Sequence, residues 1–535
     1  MIALAASCNN PPTRQSAAFS KDSLVNTITL LASDSFGGRL PSTDGEAKTV
    51  AYLENKCRQM GLEPGNGNSY VQDVPMVRIT PKGTPTLSIQ TAAGKVGFNS
   101  MNDFVVFTEN TDTVISIDKA PLVFAGFGVV APEYHWNDYE GLDVKGKIVM
   151  VMVNDPGFTI NDTSLFKGRT MTYYGRWTYK FEEAARQGAL GCLVIHNTEA
   201  ASYPFSVVQN SNGSSRLYLD QRGSAAYRCP VEGWVTEAMA KKIFAAAGKD
   251  SSLFLAANQR GFRPVDLHVT ASVGMRTTVS FSNSHNVLAK ITGASKPDEV
   301  MIYSAHWDHL GIGKPDERGD SIYNGALDNA SGTAAVLEMA RVFRSLPDRP
   351  GRSILFLFVT AEEQGLLGSQ YYAEHPVYPP GKTVADLNID EINAFGRTRD
   401  VEISGSNQSE LEDLIAAELK KQNRYIAPDA HPEAGHFFRS DHFSFAKAGI
   451  PALSLGPGTD NTEKGREYGR KLMEEYTAKY YHAPGDEYDA ARWNLDGALD
   501  DLEVLFLVGK QLAYSDEWPR WKAGSEFRAI REKQQ

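Results

Sequence analysis

Two apolar patterns run along the chain. Residues 23–31 and 44–60 read as helices, and Asp44, Glu46 and the following Gly61 mark the acidic start and glycine stop of the second. Residues 70–77, 86–89 and 104–108 read as strands. Near Ala120 the texture changes. Pro121-Leu-Val-Phe-Ala-Gly-Phe-Gly-Val-Val is a buried-strand pattern, and Lys147-Ile-Val-Met-Val-Met-Val follows the turn at Gly146. An aromatic and polar stretch with Tyr173, Tyr174, Gly175, Arg176 and Trp177 comes next. It leads to a helix over 178–187 and a strand over 191–196. Asn210-Ser-Asn-Gly-Ser-Ser reads as a loop. From Val287 the runs 299–304, 353–360 and 384–389 are almost continuously apolar, as in parallel strands buried on both faces. Helical spacing occupies 333–346 and 410–422.

These patterns predict an α/β protein: a mixed, mostly parallel sheet flanked by helices, with a β-rich domain inserted. The expected division is a tether over 1–20, a main domain formed by 21–117 and 271–535, and an inserted module over 118–270.

Composition narrows the classes. The chain has 535 residues, 42% hydrophobic and 10% aromatic, enough for more than one core. A net charge of −11 and a pI near 5.6 argue against nucleic-acid binding. No apolar run reaches the ~18 residues of a membrane span. Cys8, Cys57, Cys192 and Cys229 form no C-x-x-C pair and read as free or buried thiols. Met1-Ile-Ala-Leu-Ala-Ala-Ser-Cys8 resembles the end of a bacterial lipoprotein signal. It implies export to the periplasm or outer membrane with a lipid anchor at Cys8; the alternative is a cytoplasmic chain with a frayed start.

Candidate chemistry clusters where the apolar runs end. His306 and Asp308 stand in His-Trp-Asp-His, with His309 beside them. Asp328 stands in Asp-Asn-Ala-Ser-Gly, Glu362 and Glu363 are adjacent, Asp390 stands in Asn-Ile-Asp-Glu, and His482 in Tyr-His-Ala-Pro-Gly-Asp486. Ends of parallel strands are where α/β proteins build sites. Two imidazoles with three carboxylates are an N/O ligand set that suits zinc. Asp308 is placed to orient His306 through its ring N–H. Asp328 is either a helix cap or a carboxylate bridging two cations. Glu363 reads as a ligand and Glu362 as a general base. Arg439, Asp441 and His442 read as a pocket-wall segment. The set points to a two-metal hydrolase.

Over residues 290–490 this pattern resembles the M28 family of dizinc aminopeptidases. Asp34-Ser-Phe-Gly-Gly-Arg39 resembles the family's opening segment, and 118–270 resembles an inserted protease-associated (PA) domain. The resemblance implies a zinc-peptidase fold and two Zn2+, with Co2+ or Mn2+ as substitutes. His306, Asp328 and Asp390 would hold one ion, and Asp328, Glu363 and His482 the other. It implies release of N-terminal residues from peptides with a free N-terminus. Carboxypeptidase and glutaminyl cyclase chemistry, or a receptor-like peptide-binding role, are the alternatives on this scaffold. Two positions depart from the family. Phe437 stands where some relatives carry an oxyanion-donating Tyr, leaving His436 or Arg439 to substitute. Glu391 stands where an apolar residue is usual, which suggests a basic first side chain or a hold on the α-ammonium.

Overall fold

The computed structural model describes residues 19–222, 228–404 and 407–534. Cys8 and the tether, apart from Phe19 and Ser20, lie outside the described residues. Cys57, Cys192 and Cys229 are free, buried thiols, as their spacing suggested.

Two sheets are stitched together by one 27-residue strand, Val265–Ile291. Its first part pairs antiparallel with Thr86–Thr91 and Val114–Phe124. Its second part pairs antiparallel with Val71–Pro81 and Arg352–Val359.

The larger sheet is mixed, with four parallel strands at its centre. Lys296–His306 lies between Arg352–Val359 and Thr383–Asn388, and Ala452–Pro457 follows next to Thr383–Asn388. Every residue of Arg352–Val359 and Thr383–Asn388 is buried, which is why those runs carry almost no polar alternation. Gly332–Ser345 and Asp496–Tyr514 cover one face through Leu337, Phe343, Leu505 and Val508, packed with Met301, Tyr303 and Phe356. The other face puts Ile302, Leu355 and Leu357 against Tyr372 and Phe445, from Leu367–Glu374 and His442–Lys447.

The second sheet pairs Val114–Phe124, Ile148–Met152, Gly191–His196 and Val231–Thr236 in parallel, then Phe104–Phe107 antiparallel. Its core is separate from that of the first.

The structure redraws the expected boundaries. Thr86–Thr91, Gly94–Gly97 and Phe104–Phe107 pair in the second sheet, so the second module begins near residue 86 rather than 118. The expected boundary at 270/271 falls inside Val265–Ile291. Local texture cannot reveal this, because an edge between two sheets inside one strand leaves no turn in the sequence. The run from Pro121 also breaks: its strand ends at Phe124, and Gly126 and Gly128 take positive φ in the turn that follows. The expected loop at 210–215 begins inside the helix Phe205–Asn212.

Candidate metal centre

The central strands deliver the acids and imidazoles to one rim. Lys296–His306 ends on His306, Arg352–Val359 leads into Glu362 and Glu363, and Thr383–Asn388 leads into Asp390. Non-glycine residues with positive φ gather here: Ala361, Glu391 and His482. Such backbone is held only where the surroundings over-determine it, typically at functional sites.

Two donor groups share Asp328. His306 Nε2 lies 3.3 Å from Asp328 Oδ1 and 3.2 Å from Asp390 Oδ1. His482 Nε2 lies 3.1 Å from both Asp328 Oδ2 and Glu363 Oε2. His309, read from sequence only as a neighbour of the motif, joins the second group, its Nδ1 2.7 Å from Glu363 Oε1. That contact is not aligned as a hydrogen bond, so both His309 ring nitrogens and Glu363 Oε1 are buried without hydrogen-bond partners. In each triad, His306/Asp328/Asp390 and His309/Asp328/Glu363, the ligand atoms lie within 4.8 Å of one another. Converging N and O donors with unsatisfied lone pairs fit divalent cations of the zinc type.

Asp328 caps nothing. The following helix, Gly332–Ser345, has Ser331 at its N-cap, and Asn329 Oδ1 accepts from Gly332 N at 2.8 Å. Asp328's main chain is held from outside: Asp486 Oδ2 accepts from Asp328 N at 3.1 Å and from Leu327 N at 3.2 Å. Arg39 fixes the same loop. Its guanidinium donates to the main-chain oxygens of Trp307 (2.9 Å), Leu31 (2.8 Å), Asn324 (2.5 Å) and Gly325 (2.8 Å). Burial lowers its pKa to about 10 despite the facing Asp486, Asp308 and Asp328. The opening segment thus ties the His306 loop to the Asp328 loop. Asp390 has its own support: Ser440 Oγ donates to Asp390 Oδ2 at 2.6 Å and accepts from Asn388 Nδ2 at 2.8 Å. Sequence reading treated Arg39 and Asp486 only as motif members and missed Ser440. The signal for Ser440 was its place inside Arg-Ser-Asp-His.

Asp308 acts differently from the expectation. His306 Nδ1 lies 3.2 Å from the main-chain oxygen of Asp308 and 3.7 Å from its carboxylate. The carboxylate Oδ1 instead accepts from Glu362 N at 3.0 Å, so Asp308 links His306 to the Glu362 segment. Phe437 is corrected as a pocket residue: it is 3% exposed, packed with Phe438, Phe443 and Phe527 and against the His442 ring. Asp441 and His442 are fully buried beside it rather than on the cavity wall. Arg439 does line the cavity, with Glu362, Glu363, Tyr481 and His482. Glu391 accepts from Tyr476 Oη at 3.2 Å.

The electrostatics follow from crowding. Burial, with Asp390, Glu363 and Asp441 nearby, pushes the Glu362 carboxyl well above the usual range, although His306 opposes this. Burial alone would lower His482, but its bonds to Asp328 and Glu363 reverse that and hold it at about 10. Burial likewise raises Glu391 well above normal, reinforced by Asp328, Asp390 and Asp486.

Residues 286–506 match the family model "Peptidase family M28". A probable zinc metalloprotease of Leptosphaeria maculans is 29% identical over 252 residues, covering 40% of this chain and 57% of that protein. Aminopeptidase YwaD of Bacillus subtilis is 27% identical over 214 residues, covering 37% of this chain and 39% of that protein. The matched stretches therefore fall short of two thirds of either relative's own length. An aminopeptidase structure from Aneurinibacillus sp. strain AM-1 superimposes with a TM-score of 0.49 at 22% identity, covering 92% of this chain and 94% of that one. Residues 286–506, where the two donor triads lie, are thus similar to peptidase family M28.

Proposed function

We propose that the chain is a dizinc aminopeptidase that removes N-terminal residues from peptides. The observation that carries the reading is one carboxylate, Asp328, set between two imidazole–carboxylate groups, with Glu362 on the wall of the adjoining cavity. His306, Asp328 and Asp390 would hold one ion; Asp328, Glu363 and His482 would hold the other, with His309 beside Glu363. Bound there, the ions would supply Lewis-acid polarisation of the scissile carbonyl and acidification of water.

The chain's own residues do the rest. Glu362, with its raised proton affinity, takes the proton of the attacking water and returns it to the leaving amine. Asp308 holds Glu362's main chain and so fixes the base relative to His306. Glu391, next to Asp390 and tied by Tyr476, offers a carboxylate to the substrate's α-ammonium. Tyr481 lines the cavity and stacks on His482 at 3.9 Å between ring centroids, so it offers a phenol donor for the oxyanion in place of Phe437.

The test is hydrolysis of Leu- and Lys-p-nitroanilide beside their N-acetyl forms, with and without a zinc chelator. Chelator-sensitive cleavage of the free-amine substrates alone is expected, and Glu362→Gln should lower kcat by about 10²- to 10⁴-fold at unchanged zinc content. Equal cleavage of acetylated substrates would reject the aminopeptidase reading.

A further inference from the structure

The cavity beside the metal centre is shared with the second module. Its volume is ≈ 590 Å³, within the range of small-ligand pockets. Its lining includes Glu362, Glu363 and His482 from the peptidase part and Arg176 and Trp177, at the start of helix Trp177–Arg186, from the second module. Arg439, from the peptidase side, lines it as well.

The cations lining the cavity are not equivalent. Lys447 Nζ lies 2.7 Å from Glu182 Oε1, and Arg228 is paired with Glu109. Arg176 and Arg439 have no carboxylate partner among the described residues. The undescribed residues contain no Asp or Glu that could supply one. The Nε of each is buried without a hydrogen-bond partner, and Arg439 spends one N–H on the main-chain oxygen of Ala434 at 2.6 Å. The two lie close enough to interact: burial and then Arg439's charge lower the Arg176 pKa to about 10, and Tyr203 faces both. Two under-satisfied guanidiniums lining one cavity lack an anion. A planar carboxylate is the group whose geometry a guanidinium matches in bidentate fashion.

We propose that Arg176 and Arg439 receive a carboxylate of the substrate across the module boundary, so that the enzyme favours short, acid-bearing peptides. The proposal rests on the aminopeptidase reading, in which the substrate's amine end lies at the metal centre and its remainder extends into this cavity. The carboxylate is either the C-terminus of a di- or tripeptide or an acidic side chain near the N-terminus. The second module is then part of the specificity machinery.

The experiment is calorimetric binding to zinc-loaded Glu362→Gln enzyme, which does not depend on turnover. Leu-Ala is compared with Leu-Ala-amide, and Leu-Glu-amide with Leu-Gln-amide. The carboxylate member of one pair is expected to bind about tenfold tighter or more, the scale of a charge-assisted hydrogen bond. A preference within the first pair identifies the C-terminus, and one within the second identifies a side chain. Adding Arg176→Gln or Arg439→Gln should bring that ratio close to one, while Arg176→Lys keeps part of it. Two separate variants guard against one failing to fold. No preference in either pair, or a preference that survives both Gln variants, overturns the proposal. Failure of the aminopeptidase reading shows up separately, as an absence of nitroanilide cleavage by the unmodified enzyme.

Discussion

Asp328 shows how much one side chain depends on others far away in sequence. Its carboxylate faces His306 and His482, and its main chain is held by Asp486, while Arg39 grips the flanking Asn324 and Gly325. Asp390 depends in the same way on Ser440. Partners of metal ligands fix orientation and basicity, and their loss typically weakens metal binding about 10- to 100-fold. Ser440→Ala is therefore expected to lower zinc affinity on that scale, read by competition with a chromogenic chelator. An unchanged affinity would mean that Asp390 needs no orienting donor. The candidate ligands could be picked out in the sequence because each follows a buried apolar run or sits in a compact motif. His309's place beside Glu363 was not, since nothing in His-Trp-Asp-His says which imidazole turns toward which acid.

At the scale of elements, the close approach occurs where helix Gly332–Ser345 begins. A Cβ on Gly332 would lie 2.2 Å from the main-chain oxygen of Ile389 and 2.3 Å from Asn329 Oδ1. Ile389 belongs to the segment that delivers Asp390, so its backbone cannot yield without moving that carboxylate. Gly332→Ala is expected to destabilise the fold by about 1–3 kcal/mol, the usual cost of overpacking. A shift of the denaturant midpoint at constant m-value would show it, and an unshifted midpoint would count against so tight a contact. Three of the four central parallel strands were readable from their apolar runs to within a few residues, and Ala452–Pro457 was not. The 27-residue strand was not. Its two halves serve different sheets, so its pattern changes midway and resembles a domain boundary.

For the whole molecule, Asp328, Glu363, Asp390, Glu391 and Asp486 crowd one partly dry region where like charges repel. Cations that bind only the folded state relieve this and stabilise it by mass action, about 4 kcal/mol at a thousandfold excess over Kd. Chelation is therefore expected to lower Tm and added zinc to restore it, as followed by calorimetry. A Tm indifferent to both would argue that the cluster neutralises itself with protons. The cavity belongs to the same scale, since its lining comes from both separately cored modules. No helix among the described residues is long and apolar enough to cross a membrane.

The sequence by itself determined the α/β class, three of the central parallel strands and the residues offered as ligands and base. Those follow from local hydrophobic periodicity and from chemistry carried by short motifs. Only the tertiary structure decided where the second module begins, that Asp308 bonds to Glu362's main chain, that Phe437 belongs to an aromatic core, and that Arg176 faces the candidate active site. Each of these is a contact between segments far apart in the chain. Which distant partners meet is set by how the buried faces pack together, and no window of sequence contains that information.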